Sequence, residues 1–416
     1  MPQAASASSE GEQYPYWQRN TRALAVGTFC NTMGFTVCFP YLALIVQELG
    51  VQGHLETWVG VLAGGFFTIS FFLAPVWGTF ADHFGRRSMV LRAGLGMGIG
   101  FALLALSSSM PWFVAFFVLV GTCNGYVPAA IALVATNTPR RNMGRALATV
   151  QTAALVGTTC GPAVGAFLAG ALPHYRDLFW ISSAMSLLAG SVALAFAREK
   201  AERPQGRFRL TVLQDSRVIL RVPTMWLLYL VSFLFSTAMF GSTTVIALYV
   251  LEIARDPAEL RGLSLETWVG TATMALTISS AAAAPIWGRW LDRFEPARVL
   301  AISLAAGMLA SWLFPFVQSP VQLTAARFVL GACAVGIQPA AVHLIKTWSP
   351  VGMDARTLAL GTALMMLGNG MAPLLAGVIG PLLGLRAHFG FIALMLLGGL
   401  LLWMVRGLPR TGSPLP

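Results

Sequence analysis

Long apolar runs, separated by short polar stretches, recur along the whole chain. They fall at 20–46, 55–80, 90–108, 111–135, 144–172, 177–197, 224–252, 264–291, 296–317, 320–347, 355–383 and 388–407. Crossing a bilayer takes about 20 helical residues. Backbone in lipid has no water to bond to, so it must satisfy its own polar groups. Each run therefore predicts one spanning helix. The expected fold is an all-α membrane protein with twelve transmembrane helices, called spans one to twelve below.

Composition agrees with this pattern. Charged residues make up 10% of the chain and hydrophobic ones 56%, whereas a soluble domain carries about 25% charged residues. The 42 glycines suit membrane helices that approach one another closely. The five cysteines, Cys30, Cys38, Cys123, Cys160 and Cys333, all lie in predicted spans without CxxC spacing. They read as small packing residues, and no metal site or cofactor is expected.

The net charge of +11 raises the question of nucleic acid, and the placement of the charges answers it. With the N-terminus inside, 22 of the 27 Lys and Arg residues fall in inner segments, among them Arg86, Arg87, Arg140, Arg141, Arg145, Arg203 and Arg207. The outer loops hold Arg176, Arg255, Arg261 and Arg386, and Arg327 lies within span ten. This asymmetry predicts two cytoplasmic termini and an even number of spans. The basic excess then faces anionic lipid and not nucleic acid. Residues 1–16 lack a leader pattern and read as a disordered cytoplasmic tail, 198–223 as a basic cytoplasmic linker and 408–416 as a second tail.

The chain also repeats itself. LETWVG occurs at 55–60 and at 265–270, and APVWG at 74–78 answers APIWG at 284–288. Asp82 matches Asp292 at the same offset of 210. PAA at 128–130 matches PAA at 339–341, and Arg145 and Pro162 match Arg356 and Pro373, all at 211. One inserted residue accounts for the change. Two pseudo-symmetric six-helix bundles, 17–197 and 224–407, follow. Parallel repeats of this kind suit alternating access, in which one half rocks on the other around a site near the midplane.

Residues 77–87, WGTFADHFGRR, resemble the major facilitator superfamily signature G-x-L-x-D-R-x-G-R-[RK] between helices two and three. Gly78, Asp82, Gly85, Arg86 and Arg87 match, while Phe80 and His83 depart from it. GPAVGA at 161–166 resembles the fifth-helix signature G-P-x-x-G-G of proton-coupled drug antiporters, with Gly161, Pro162 and Gly165 matching. The resemblance implies the major facilitator fold in a bacterial inner membrane. It also implies efflux of small amphipathic molecules in exchange for protons, by a monomer. It makes Asp82 part of a cytoplasmic gate facing the start of span eleven, with Asp292 its weaker copy.

Pro162 and Pro373 occupy matching helices and are candidate hinges. The family fold places the cavity walls on spans one, four, seven and ten. This nominates Asn31, Phe35, Asn124, Tyr126, Phe240, Thr243 and Gln338, with Gln151, Met365 and Asn369 from spans five and eleven. Arg327 is an intramembrane charge and so a candidate for substrate or proton handling. The family's usual arginine in span four is replaced by Phe117. No Asp or Glu lies in the middle of any span, which favours neutral, zwitterionic or anionic substrates. Proton candidates are then Asp82, Glu48, Glu56, Glu252 and His343. A defined metabolite or lipid-linked headgroup is the alternative cargo, and a non-transporting sensor or scaffold is disfavoured. No Walker A run or HExxH motif is present, so neither ATP-driven transport nor zinc-dependent hydrolysis is expected.

Overall fold

A computed structural model describes residues 16–199, 223–254, 260, 262–349 and 354–406. Most of the two tails, linker residues 200–222, Arg255 and Arg261 lie outside the described residues. Among the described residues, twelve helices are long and apolar enough to cross a membrane. They are Trp17–Glu48, Leu55–Ala81, Arg86–Leu106, Met110–Thr136, Met143–Ala171, Tyr175–Phe196, Thr224–Thr244, Leu265–Arg293, Pro296–Phe316, Pro320–Thr347, Leu360–Leu383 and Leu385–Val405. Each corresponds to one of the expected spans.

Spans one, four, seven and ten are interrupted inside the apolar run. Span one tightens into a 3-10 turn at Phe39–Tyr41, around Pro40, before Leu42–Glu48. A proline removes one backbone donor, which suits an interruption. Span four divides into Met110–Cys123 and Tyr126–Thr136. Gly125 between them has φ +124°, a conformation that only glycine adopts freely. Helix Pro223–Thr244 of span seven stops at Val245 and resumes as Ile246–Ile253. Span ten divides into Pro320–Ala334 and Ile337–Thr347. The gaps at 124–125 and 335–336 correspond to each other at the offset of the sequence repeat. By contrast, Pro162 lies inside the continuous helix Met143–Ala171, and Pro373 inside Asp354–Leu383.

The chain divides into two compact units, the first from Met1–Phe39 and Phe72–Leu210, the second from Pro40–Phe71 and Thr211–Pro416. In the first unit, glycines replace side chains where helices meet. A Cβ on Gly94 of span three would lie 2.7 Å from the Cα of Gly190 in span six. A Cβ on Gly98 would lie 2.6 Å from Leu187, and Ser183 Oγ donates to the Gly98 carbonyl at 2.8 Å. Gly157 and Gly161 of span five press on Thr32 and Thr36 of span one in the same way. Lipid tails are as apolar as leucine, so helices in a bilayer associate through such close packing and not through exclusion of water.

The second unit is held by the same means, close packing together with long-range hydrogen bonds. Ser280 Oγ donates to the Gly331 carbonyl at 3.1 Å, joining spans eight and ten. Tyr229 Oη donates to Thr357 O at 2.9 Å, and Trp403 Nε1 to Ala297 O at 2.9 Å. Residues of Pro40–Phe71 pack here too. Thr57 Oγ1 donates to Gly377 O at 2.8 Å, and the Phe67 ring meets Phe240 edge-on at 4.6 Å.

Candidate functional site

The last four carbonyls of any helix lack intrahelical donors, so every interruption inside a membrane span creates polar atoms in need of partners. In the first unit the partner at span four comes from span three. The Arg92 guanidinium donates to Thr122 O and Asn124 O, both at 3.2 Å. It also lies 3.7 Å over the ring of Trp77, whose Nε1 donates to the same Thr122 carbonyl at 3.0 Å. Asn124 closes the gap locally, its Oδ1 accepting from Gly125 N at 2.8 Å.

The second unit repeats part of this arrangement. Trp287 Nε1 donates to Ala332 O at 2.9 Å, and both ends of this bond are the repeat counterparts of Trp77 and Thr122. The ring covers Gly336, where a Cβ would collide with it. The arginine comes from elsewhere. Arg327, in span ten itself, is fully buried and turns its fork toward the end of helix Pro223–Thr244. Nη1 donates to Ser242 O at 2.9 Å and to Ser242 Oγ at 2.8 Å, Nη2 to Thr243 Oγ1 at 3.2 Å, and Nε to Ala272 O at 3.3 Å. Every partner is a neutral oxygen. At Phe117, the matching position of the first unit, the buried ring packs on Phe113 at 5.8 Å.

A second basic side chain reaches the same stretch of span seven. Nε2 of His388, in span twelve, lies 3.3 Å from the Gly241 carbonyl. The ring is 2% exposed and its Nδ1 is buried with no hydrogen-bond partner. Above it, Phe389 stacks on Phe314 at 4.9 Å and Tyr249 Oη donates to Phe314 O at 2.7 Å. Glu252 and Arg386 pair at 3.7 Å beside this aromatic group, on the more exposed side.

The loop signature is built around backbone caps. Gly85 has φ +90° and opens span three. The first amides of that helix, Arg86 N and Arg87 N, donate to the two oxygens of Glu199, each at 2.9 Å. A carboxylate at a helix N-terminus is favoured both by these donors and by the helix dipole. The carbonyls at the end of span six receive arginines in turn, Arg87 on Leu194 O at 2.7 Å and Arg19 on Ala195 O at 3.1 Å. The Asn20 amide pairs with the backbone of Arg198, donating at 2.6 Å and accepting at 2.9 Å. Asp82 continues the helix Leu55–Phe84, Gly78 leaves open space around its Cα, and Asp292 is exposed in the last turn of Leu265–Arg293.

The remaining candidates fall into different settings. Asn31 is buried with its amide on Met97 Sδ at 3.7 Å, and Phe35 packs on Phe39 at 4.7 Å. Tyr126 is buried in the first unit's core, its hydroxyl donating to Ala189 O at 3.1 Å. Asn369 Oδ1 accepts from Ser236 Oγ at 2.5 Å, and the same hydroxyl reaches Met365 O at 2.9 Å. Gln151, Gln338, His343 and Glu48 are exposed, and Glu56 lies in the first turn of span two. Sequence reading passed over Arg92, Glu199 and His388. A basic residue after a signature loop and a lone histidine at a span end carry no pattern that marks a helix break as their partner.

Comparison with known proteins adds identity to this geometry. The chain is 31% identical over 381 residues to Multidrug resistance protein MdtG of Dickeya zeae (strain Ech586), covering 90% of each chain. It is 31% identical over 391 residues to the protein of that name in Yersinia enterocolitica, covering 92% of this chain and 91% of the relative. Its fold is similar to the crystal structure of nucleoside transporter NupG, with a TM-score of 0.79 at 12% identity, covering 94% and 100% of the two chains. It is also similar to the human organic anion transporter MFSD10, with a TM-score of 0.69 at 18% identity, covering 93% and 99%. At those identities the likeness is one of fold. The family model described as Major Facilitator Superfamily matches residues 24–265 and 256–416. The chain is a multi-pass membrane transporter and belongs to the Major Facilitator Superfamily.

Proposed function

We propose that the protein exports small amphipathic molecules by alternating access, in exchange for protons, as a monomer in the bacterial inner membrane with both termini cytoplasmic. The observation that carries this reading is the pair of interrupted helices, spans four and ten, at matching positions of a duplicated chain. Duplicated halves with matching discontinuities are what a carrier needs to expose one site to two sides in turn. The 31% identity to proteins named for multidrug resistance supports drug-like cargo. The spans carry no mid-membrane carboxylate while Arg92 and Arg327 lie within them, and this favours neutral, zwitterionic or anionic amphiphiles.

In this reading the rocking bodies are residues 17–197 and 224–407. Gly78, Asp82, Gly85, Arg86, Arg87 and Asp292 form the cytoplasmic gate, and Gly161, Pro162, Gly165 and Pro373 serve as bending points. The cavity is lined from spans one, four, five, seven, ten and eleven. The absent mid-span carboxylate is equally compatible with a second reading, transport of one defined metabolite or of a lipid-linked headgroup. The test is transport in proteoliposomes under an imposed pH gradient, with ethidium as cationic, Nile red as neutral and carboxyfluorescein as anionic probe. Gradient-driven movement of more than one dye supports drug export. Movement of none with a gradient in place overturns it.

A further inference from the structure

The end of helix Pro223–Thr244 is where basic side chains from two other spans converge. Arg327 holds Ser242 and Thr243, and His388 holds Gly241, one residue earlier. A Cβ on Gly241 would lie in ordinary contact, 3.5 Å from His388 Nε2, 3.5 Å from Ala372 and 3.6 Å from Ile392. With Nε2 donating to a carbonyl, the proton of the neutral ring sits on Nε2 and Nδ1 carries a lone pair. That lone pair is buried with no donor facing it. Buried polar atoms are nearly always paired, and an orphan calls for an explanation beyond packing.

We propose that His388 is the group that takes up the coupling proton, with Nδ1 the accepting atom. This rests on the proton-exchange reading above and assigns that role to a residue outside the gate and outside the cavity candidates. The proton comes from solvent, forms an N–H bond at Nδ1, and returns to solvent when that bond breaks. Ala372 and Ile392 line the same Gly241, Arg327 binds the next residue of span seven, Tyr249 packs on the adjoining Phe389 at 4.7 Å, and Arg386, paired with Glu252, stands two residues before His388 in span twelve. A charged His388 therefore shares one helix end with Arg327, and the two cations are bound to successive residues. Helix C-termini attract cations, but here the arginine already occupies that field. The loaded ring is accommodated better where water reaches it. Proton binding thus shifts the protein toward a conformation in which the span seven interruption is opened, and release restores the closed one.

The discriminating variant is His388→Gln, which keeps an N–H for the Gly241 carbonyl and cannot titrate. It is reconstituted with pyranine inside the vesicles and assayed with ethidium, Nile red and carboxyfluorescein. Gradient-driven dye movement is expected to fall by about tenfold or more, while gradient-free dye exchange stays within about twofold of wild type and loses its pH dependence. Wild-type levels of gradient-driven transport and dye-induced proton movement in this variant overturn the proposal, as does equal loss of exchange with an unchanged melting temperature. Wild-type protein that moves dye without moving protons sinks the exchange reading instead. If the glutamine variant fails to fold, His388→Asn takes its place. Histidine-labelled wild-type protein gives a substrate-free readout, with the His388 ring nitrogens assigned by their loss in either variant. They should pass from neutral to protonated shifts as the pH is lowered, and a ring whose shifts do not move at any pH at which the protein stays folded overturns the assignment.

Discussion

Trp77 Nε1 donates to the Thr122 carbonyl at 3.0 Å, and the same bond joins Trp287 to Ala332 at 2.9 Å in the second copy of the repeat. A chain that duplicated its sequence has kept one side-chain-to-backbone bond in both copies, at the end of an interrupted helix each time. Trp→Phe at either site keeps most of the ring and removes the donor. Each change should lower stability by about 1 kcal/mol. Because the two bonds lie in separate units, the double variant should show nearly the sum. Thermal unfolding in detergent measures it, and an unmoved midpoint in both single variants refutes the idea that the bond stabilises the break.

Arg92 offers a sharper contrast. Replacement by Met removes the stacking on Trp77 and leaves Asn124 O without its arginine. A loss of about 2 kcal/mol is expected from these two contributions. Arg92→Lys keeps the charge but not the planar fork, so it should recover only part of the loss. Denaturant unfolding of the three proteins gives the order. Lysine equal to arginine would show that charge alone suffices.

At Arg327 two effects oppose each other. Removing a fully buried cation relieves its desolvation, but Met would leave two carbonyls and two hydroxyls without their donor. Breaking a buried arrangement on one side costs more than the relief, so Arg327→Met should destabilise by about 3 kcal/mol and reduce transport with it. A variant that melts like wild type would mean that the span seven break closes on its own.

Glu199→Ala should loosen the start of span three by about 1 kcal/mol, by removing a cap and a dipole partner together. Glu199→Gln should fall between, keeping an acceptor without the charge. Amide hydrogen exchange at Arg86 and Arg87 reads this directly, and unchanged protection there would remove Glu199 as the cap.

Asp82→Asn tests the gate. The variant should insert and melt normally, yet export more slowly, because the proposed gate draws on a charge that the amide lacks. Unimpaired export by a normally expressed variant would take Asp82 out of the mechanism.

Hydropathy alone located all twelve helices, since a stretch long and apolar enough to cross a bilayer has few other uses. It could not locate the interruptions. Val245 follows Gly241, Ser242, Thr243 and Thr244, but small residues of this kind are common in packed membrane helices and do not by themselves mark where span seven stops. Asn124–Gly125 is a turn pair, but a glycine in a membrane helix is more often a contact point, as Gly94 is. The partners of the breaks were hidden for the same reason. By sequence Arg92 is an inner-segment charge, Arg327 an intramembrane charge without a marked partner, and His388 one more histidine near a span end. Their roles depend on which carbonyl each can reach, and that is a property of packing between segments far apart in the chain.

The meeting of Gly94 with Gly190 reaches into how such a gene can change. The genetic code surrounds every glycine codon with serine, arginine, cysteine, tryptophan, aspartate, glutamate, alanine or valine, each of which brings at least one more carbon atom. At these two positions even the smallest of them drives into backbone or packed side chain. No single-base missense change is therefore small enough to fit without parting spans three and six. In a saturation library selected for export, positions 94 and 190 should stand as gaps whose depth does not depend on the polarity of the newcomer, whereas positions facing lipid will sort their replacements by polarity and hardly at all by size.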